Sequence, residues 1–469
     1  MAMPRVLIII VTWNKETYVL NLLKSLQTLV YPGEFIEMLV VDNASTDNTV
    51  ESITGLYKDV TVICNKENLG GTGGFNTGLK WAFGQPHGKF DYLWLLDNDV
   101  LVDRNALREL VRVMKENPRA AICGSKIMNI DNPGEFIELG AFIDYTFGDV
   151  CRNMPDGKEL ENPQAVFEVD YVAACSLVAR TSLVRKLGIW HEKFFIYWDD
   201  MEWGARFNAA GYKVLASNAS LVYHPSWAGR VADVSAIWRN YYRIRNALWF
   251  YNNYATGIRR RFLMARMITR FMRFSATACI RSESELSRAF VRGVEDFFTG
   301  NYGKKAFHMP FTDLEQYISR KGQTKLCVFI HDIGITDAAE RFVRNLREKY
   351  PELRVMAILP KAVQYKWKGL SQKEDMLTYS RNADGGISLT HKYRIMKFLK
   401  NKPWEVFLSD PLVPKMGLIW GRDVARVDFN TGVTLASIEG LNLRNLGRIP
   451  MNTVFFLIQS LFDLPEKGL

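Results

Sequence analysis

Four short apolar runs in the first hundred residues, each closed by polar residues and separated by helix-like segments, constrain the fold more than anything else. Val6–Val11 is a continuous, mostly β-branched run, the pattern of a strand covered on both faces. Lys15–Leu29 then repeats apolar residues at helical spacing, among them Leu22, Leu23, Leu26 and Leu29. Ile36–Val41 stops at Asp42, Val60–Cys64 forms a third run, and Tyr92–Leu96 stops at Asp97. Ser45-Thr46-Asp47 supplies helix-capping chemistry, and Thr77–Phe83 reads as helix. The alternation predicts a Rossmann-like, mostly parallel sheet that binds ligands at the carboxyl ends of its strands. Thr12, Asn14, Asp42 and Asp97 all fall at such ends.

The strand ends also carry the chemistry. Asp97-Asn98-Asp99 sets two carboxylates one residue apart after a buried strand, where both can grip a hard cation that bridges to a diphosphate. Asn68-Leu-Gly-Gly-Thr-Gly-Gly-Phe-Asn76 is expected to be a glycine-rich loop whose amides approach an anion, although its spacing is neither a P-loop nor a dinucleotide fingerprint. Asp42 suits a nucleoside hydroxyl or base, or simply caps the following helix. In Phe194-Phe-Ile-Tyr-Trp-Asp-Asp-Met-Glu-Trp203, aromatic residues precede three acids, Asp199, Asp200 and Glu202. Acids beside aromatic walls are costly unless they are ligated or used, as a general base is; a helix N-terminus also favours them. His224, after the short run Leu221–Tyr223, is a third metal ligand or a structural histidine.

The chain has 469 residues, 48% of them hydrophobic and 23% charged, so two or three folded domains are expected. Six scattered cysteines without a CxxC pair argue against a zinc site and a disulfide framework. The N-terminus lacks the apolar length and cleavage site of a signal peptide, and no run reaches the roughly 18 apolar residues of a membrane span. A cytoplasmic chain, peripheral on the inner face of the membrane, is the expectation. The net charge is +10, and Val234–Ser282 holds ten arginines and no Asp or Glu. That stripe, interleaved with Trp238, Tyr241, Tyr242 and Trp249, fits an anionic membrane surface, a packing layer or nucleic acid. A compositional break near Pro310 precedes a second β/α pattern, in which His331-Asp332 and Asp410 follow strands. The expected division is 1–233 for the catalytic α/β domain, 234–309 for a basic aromatic helical segment and 310–469 for a smaller α/β domain.

Taken in order, VTWN, VVDNASTD, NLGGTGGFNTGL, LLDNDV, WDDMEWGAR and VYHPSW resemble a family 2 glycosyltransferase of the GT-A fold, nearest the bacterial galactofuranosyl- and rhamnosyltransferases. The resemblance covers about residues 4 to 230. It implies Asp97, Asp99 and His224 as ligands of Mn2+ or Mg2+, and Asp200 as the base of an inverting transfer. Thr12, Asn14, Asp42, Asn68, Gly70, Gly71 and Asn98 would bind the nucleotide-sugar. Trp198, Asp199 and Glu202 would hold the acceptor or orient the loop. The implied partners are a UDP-sugar, with UDP-galactofuranose favoured over dTDP-rhamnose, and a glycan acceptor, lipid-linked, as in O-antigen or other cell-surface polysaccharide synthesis. No nucleic-acid partner is expected, and a homo-oligomer is an open option. A nucleotidyltransferase is the main enzymatic rival, separated by its release of pyrophosphate.

Overall fold

Six of the seven residues of Val6–Thr12 (β1) are β-branched, and successive side chains point to opposite faces. Val6, Ile8 and Ile10 therefore join one buried cluster with Leu22, Leu23 and Trp94, while Leu7 and Ile9 join another with Phe75 and Leu79. The computed structural model describes residues 3–225, 235–280, 284–305, 325–331, 333–367, 369–382, 387–402, 404–409, 423–428, 433–434, 443–462 and 464–467. Asp332, Asp410, Trp227, Arg281 and the expected boundaries at 233/234 and near Pro310 lie outside them.

From β1 the chain passes through α1 (Glu16–Leu26), β2 (Ile36–Asp42), α2 (Thr49–Leu56), β3 (Val60–Cys64), α3 (Gly70–Gly84) and β4 (Tyr92–Asp97). These four strands are parallel, in the order β3-β2-β1-β4. Because β2 and β3 lie on one side of β1 and β4 on the other, the order reverses at β1, where an α/β sheet opens its crevice. Register sets Thr12 beside Asp42 and Val11 beside Asp97.

Two boundaries differ from the sequence reading. Helix α1 closes at Leu26 rather than Leu29, where the Thr28 hydroxyl donates to the Ser25 carbonyl. The glycine run is not a loop; it forms the first turns of α3. Its spacing serves packing: a Cβ on Gly74 would stand 2.4 Å from Val11, and one on Gly78 2.4 Å from Ile9. Glycine lets this helix lie closely on β1.

The sheet continues through β5 (Leu101–Val102), α4 (Ala106–Glu116), β6 (Ala120–Asn129), β7 (Phe136–Glu138), β8 (Ala141–Asp144), β9 (Asp149–Arg152), α5 (Gly157–Glu161), β10 (Val166–Val169), β11 (Ser176–Arg180), α6 (Thr181–Leu187), α7 (Asp199–Ala209) and β12 (Lys213–His224). The whole order is β10-β12-β6-β11-β4-β1-β2-β3, with β5 on β12, β7 on β6, and β8 pairing β9 apart. Along that path only β10 and β11 run against the rest. This is the mixed α/β, mostly parallel architecture expected.

Three helices follow, α8 (Ser235–Tyr254), α9 (Gly257–Ile280) and α10 (Ser284–Thr299). Then come β13 (Lys325–Phe329), α11 (Thr336–Lys349), β14 (Arg354–Pro360), β15 (Met376–Tyr379), α12 (Leu389–Asn401), β16 (Val406–Ser409), β17 (Asp423–Asp428), β18 (Val433–Thr434) and α13 (Leu443–Phe462). The second sheet runs β15-β14-β13-β16-β17-β18, parallel except for β18. The last helix belongs elsewhere: Ile449 and Phe456 of α13 share a buried cluster with Leu263 and Met264 of α9. No helix among the described residues is long and apolar enough to cross a membrane.

Several arginines of the basic stripe are engaged within the protein. Arg245 is fully buried. Arg260 donates to Asn252 Oδ1 and to the Pro465 carbonyl, both at 2.9 Å. Arg270 pairs with Asp149, and Arg266 lies 4.4 Å over the Phe147 ring. Arg243, Arg259, Arg261, Arg266 and Arg273 are exposed.

Candidate active site

The short strand β5 explains how residues 97, 99 and 224 meet. It pairs antiparallel with β12, Leu101 opposite Tyr223, which brings His224 back to the segment just after β4. One ligand atom from each of Asp97, Asp99 and His224 lies within 4.8 Å of the others. His224 Nδ1 is 2.7 Å from the Pro225 carbonyl, which only accepts, so Nδ1 carries the proton. Nε2 then faces Asp99 Oδ1 at 3.2 Å. A neutral ring would aim a lone pair at a carboxylate oxygen there, and only a proton or a cation between them relieves that. Burial, reinforced by Asp99, pushes the Asp97 carboxyl up to about 7. For His224 burial pulls the other way, but the hydrogen bond to Asp99 and the charges of Asp99 and Asp97 raise it overall. Two crowded carboxylates and an oriented imidazole are the donor set of a hard or borderline divalent cation.

Beside this cluster lies a frame of small polar residues. The Asn98 amide donates to Thr12 Oγ1 at 3.0 Å and ties the end of β4 to that of β1. Asn14, at φ 50°, donates its backbone N–H to Ser45 Oγ and accepts from the Thr46 N–H. Asp42 is 2% exposed. Its Oδ2 accepts from the Ser45 N–H at 2.9 Å, while buried Oδ1 has no partner. An orphaned acceptor costs about 1–3 kcal/mol, which a ligand N–H or O–H would recover. Asn68 Oδ1 accepts from the Gly70 N–H. Gly70 sits at φ +73°, and a Cβ there would lie 2.1 Å from the Phe195 carbonyl oxygen. Gly71 has open space except for Ile196.

The aromatic string is a strained loop leading into α7. Phe195, Tyr197 and Trp198 all have φ between 64° and 71°, a conformation that costs a non-glycine residue about 1–3 kcal/mol. The next helix holds it. The Asn246 amide faces the carbonyls of Phe194, Ile196 and Tyr197 at 3.1, 2.8 and 3.0 Å. Arg245 donates to the Lys193, Phe194 and Gly303 carbonyls. Trp198 packs on Phe250 and Tyr251, with centroids 5.2 and 5.4 Å away.

The three acids divide sharply. Asp199 accepts from Thr72 Oγ1 at 2.6 Å, so the start of α3 and the start of α7 are joined by one buried bond. Asp200 accepts from the Ala174 N–H at 3.3 Å and the Met201 N–H at 2.8 Å. Burial first, then Asp199 and Glu138, hold its carboxyl well above the usual range. Glu202 is fully buried, paired with Arg206 and accepting from the Tyr254 hydroxyl at 2.8 Å. It ties α7 to α8.

Four residues to which the motifs give no role complete the site. Asn43 donates to the Gly70 carbonyl and accepts from Asn65. The Cys175 thiol is raised by burial and by the charges of Asp97, Glu138, Asp99 and Asp200, which places it among all four acids. Glu138 is 7% exposed with one oxygen unpartnered, and burial lifts it to about 7 against Arg152. Arg245 was visible only as one member of a basic stripe. All six cysteines are free.

Residues 7–188 match the family model for glycosyl transferase family 2. The galactofuranosyltransferase GlfT2 of Mycolicibacterium smegmatis is 20% identical over 257 residues, 50% of this chain and 39% of that protein. An uncharacterized glycosyltransferase of Haemophilus influenzae is 28% identical over 153 residues, 32% of this chain and 44% of the other. The chain thus spans less than half the length of either relative. Among solved structures, GalNAc-T7 with UDP, GalNAc and Mn2+ aligns at TM-score 0.46 and 15% identity, over 64% of this chain and 58% of that one. Staphylococcus aureus TarS 1-349 aligns at 0.40 and 17%, over 63% and 80%. On the family match and the parallel sheet that underlies it, residues 7–188 are a family 2 glycosyltransferase domain.

Proposed function

We propose that the chain transfers a hexosyl unit, galactofuranose from UDP-galactofuranose, with inversion, to a saccharide acceptor carried on a membrane lipid. The observation that carries this reading is the convergence of Asp97, Asp99 and His224 at the switch point of the sheet, within 4.8 Å of one another. Mn2+ or Mg2+ held there would neutralise charge on the departing diphosphate. Thr12, Asn14, Asp42, Asn68, Gly70, Gly71 and Asn98 would frame the nucleotide, with Asp42 Oδ1 taking a donor from ribose or base. Asp200 would remove the acceptor proton as its oxygen attacks the anomeric carbon. The galactofuranosyltransferase activity for which the mycobacterial relative is named supports the sugar, and the arginines exposed on α8 and α9 support an anionic membrane at the inner face as the place of work. In the division into 1–233, 234–309 and 310–469, the first part would do the chemistry and the second would support it.

The test is a donor screen with UDP-galactofuranose, UDP-galactose and dTDP-rhamnose against a lipid-linked acceptor mimic. Turnover should be confined to UDP-galactofuranose, be lost in EDTA, and return with Mn2+ or Mg2+. Asp97→Ala and Asp99→Ala should each abolish transfer without changing the circular dichroism spectrum. Full activity in chelator would remove the metal assignment, and preference for dTDP-rhamnose would replace the sugar.

A further inference from the structure

Helix α13 packs inward through Ile449, Phe456 and Ser460. Its outer side carries Met451, Val454, Phe455, Ile458, Leu461 and Phe462, with exposures from 36% for Leu461 to 78% for Phe462. Their spacing of three and four residues lines them on one face. A soluble helix normally turns such a stripe inward; this one is turned out, because the helix already buries its other side on α9 and α10. The stripe also has company. Just beyond the helix, the Pro465 carbonyl accepts from Arg260 and Asn252, and Lys467 donates to the Ala255 carbonyl. These bonds bring the end of α13 to the start of α9, where Ile258 and Phe262, 63% and 65% exposed, flank exposed Arg259 and Arg261.

We infer that α13 and the first turns of α9 form one docking face for an anionic lipid bilayer, the apolar stripe entering the headgroup region and the arginines meeting lipid phosphates. Charge selects this occupant. Neither Val234–Ser282 nor Leu443–Phe462 contains an Asp or Glu, so a second copy seated symmetrically on the face would set arginines against arginines. Anionic headgroups complement them, and an amphipathic helix of this kind lies in the interface rather than across it. The inference rests on the membrane-borne acceptor proposed above but assigns contact to a helix that no motif marked. It also revises which arginines matter: Arg260 is engaged within the protein, leaving Arg259 and Arg261 to face outward.

The experiment is flotation of the full chain with phosphatidylglycerol–phosphatidylethanolamine vesicles and with neutral phosphatidylcholine vesicles. The parent should float with the anionic vesicles only. Val454→Ser/Phe455→Ser/Ile458→Ser/Phe462→Ser should lower the bound fraction about tenfold or more, and Arg259→Ser/Arg261→Ser should make binding fail at lower salt. Transfer to a soluble acceptor mimic should stay at the parent's rate in both. As a reading that does not depend on the fourfold variant folding, Ile458→Trp should add tryptophan emission that brominated lipids quench. If the parent floats while the fourfold variant floats equally and the added tryptophan emission is not quenched, the face is wrong and the membrane reading stands. If the parent does not float, both fall. If light scattering shows a lipid-free dimer that the fourfold variant splits while flotation is unchanged, the occupant is a second copy and the inference is overturned.

Discussion

Asp200 and Asp199 are neighbours in sequence, yet their surroundings give them different work. Asp200 accepts only backbone N–H bonds and is held above the ordinary carboxylate range by burial, which raises its basicity. Asp200→Asn should lower kcat about 100- to 10,000-fold, with donor affinity by calorimetry little changed; loss confined to donor binding would move the base elsewhere. Glu138 offers a separate test through stability. Its folded-state pKa of about 7 stands above the ordinary 4.5, so between those values the folded chain keeps a proton that the unfolded chain has released. Stability should be highest below about pH 4.5 on this account and fall as pH rises towards 7, by at most about 3 kcal/mol. Glu138→Gln should flatten the fall in melting temperature between pH 5 and 8 in metal-free protein, and an unchanged slope would assign it to other groups. Thr12, Asp42 and Asp97 were legible from sequence because each ends an apolar run. Glu138 was not: it lies in a three-residue strand, and a lone acid beside Ile and Leu has no periodicity to mark it.

At the scale of elements, the strand-helix alternation of β1 to β4 could be read directly, since β1 and β4 are buried on both faces and β2 and the edge strand β3 still keep apolar runs. The glycine run misled because two physical demands share one residue type. Close approach to an anion and close approach to a strand both require a missing Cβ, and at Gly74 and Gly78 the second demand holds. Arg245 and Asn246 could not be sorted from the basic, polar stripe, because charge counting does not separate buried from exposed. Structure makes them a brace on the 194–198 loop. Asn246→Ala should remove the donor facing three carbonyls and cost about 2–4 kcal/mol. It should also raise acceptor KM more than donor KM, since Asp199 and Asp200 start where that loop ends. A variant with parental melting temperature and KM values would show the brace to be redundant.

For the whole molecule, the decisive contacts run between distant parts of the chain. Helix α13 follows the second sheet in sequence but completes the cluster around α9, with Phe456 stacked on Phe298 at 5.8 Å. Deleting residues 443–469 should therefore uncover Leu263, Met264 and Phe297 and lower the melting temperature of the catalytic part, although no residue of the first sheet is removed. Scanning calorimetry checks this; an unchanged transition would show that the helical layer stands without its last member.

The loop at 194–198 also bears on how such a catalyst can be inherited or engineered. Three left-handed non-glycine residues lie in a loop whose carbonyls at Phe194, Ile196 and Tyr197 are held by α8, and the family match itself stops at residue 188, short of Asp199, Asp200 and His224. The part that matches the family is therefore not a transplantable unit. A graft that carries residues 7–188 alone would separate the proposed nucleotide frame from the proposed base, and a chimera that exchanges α8 must bring the matching loop with it.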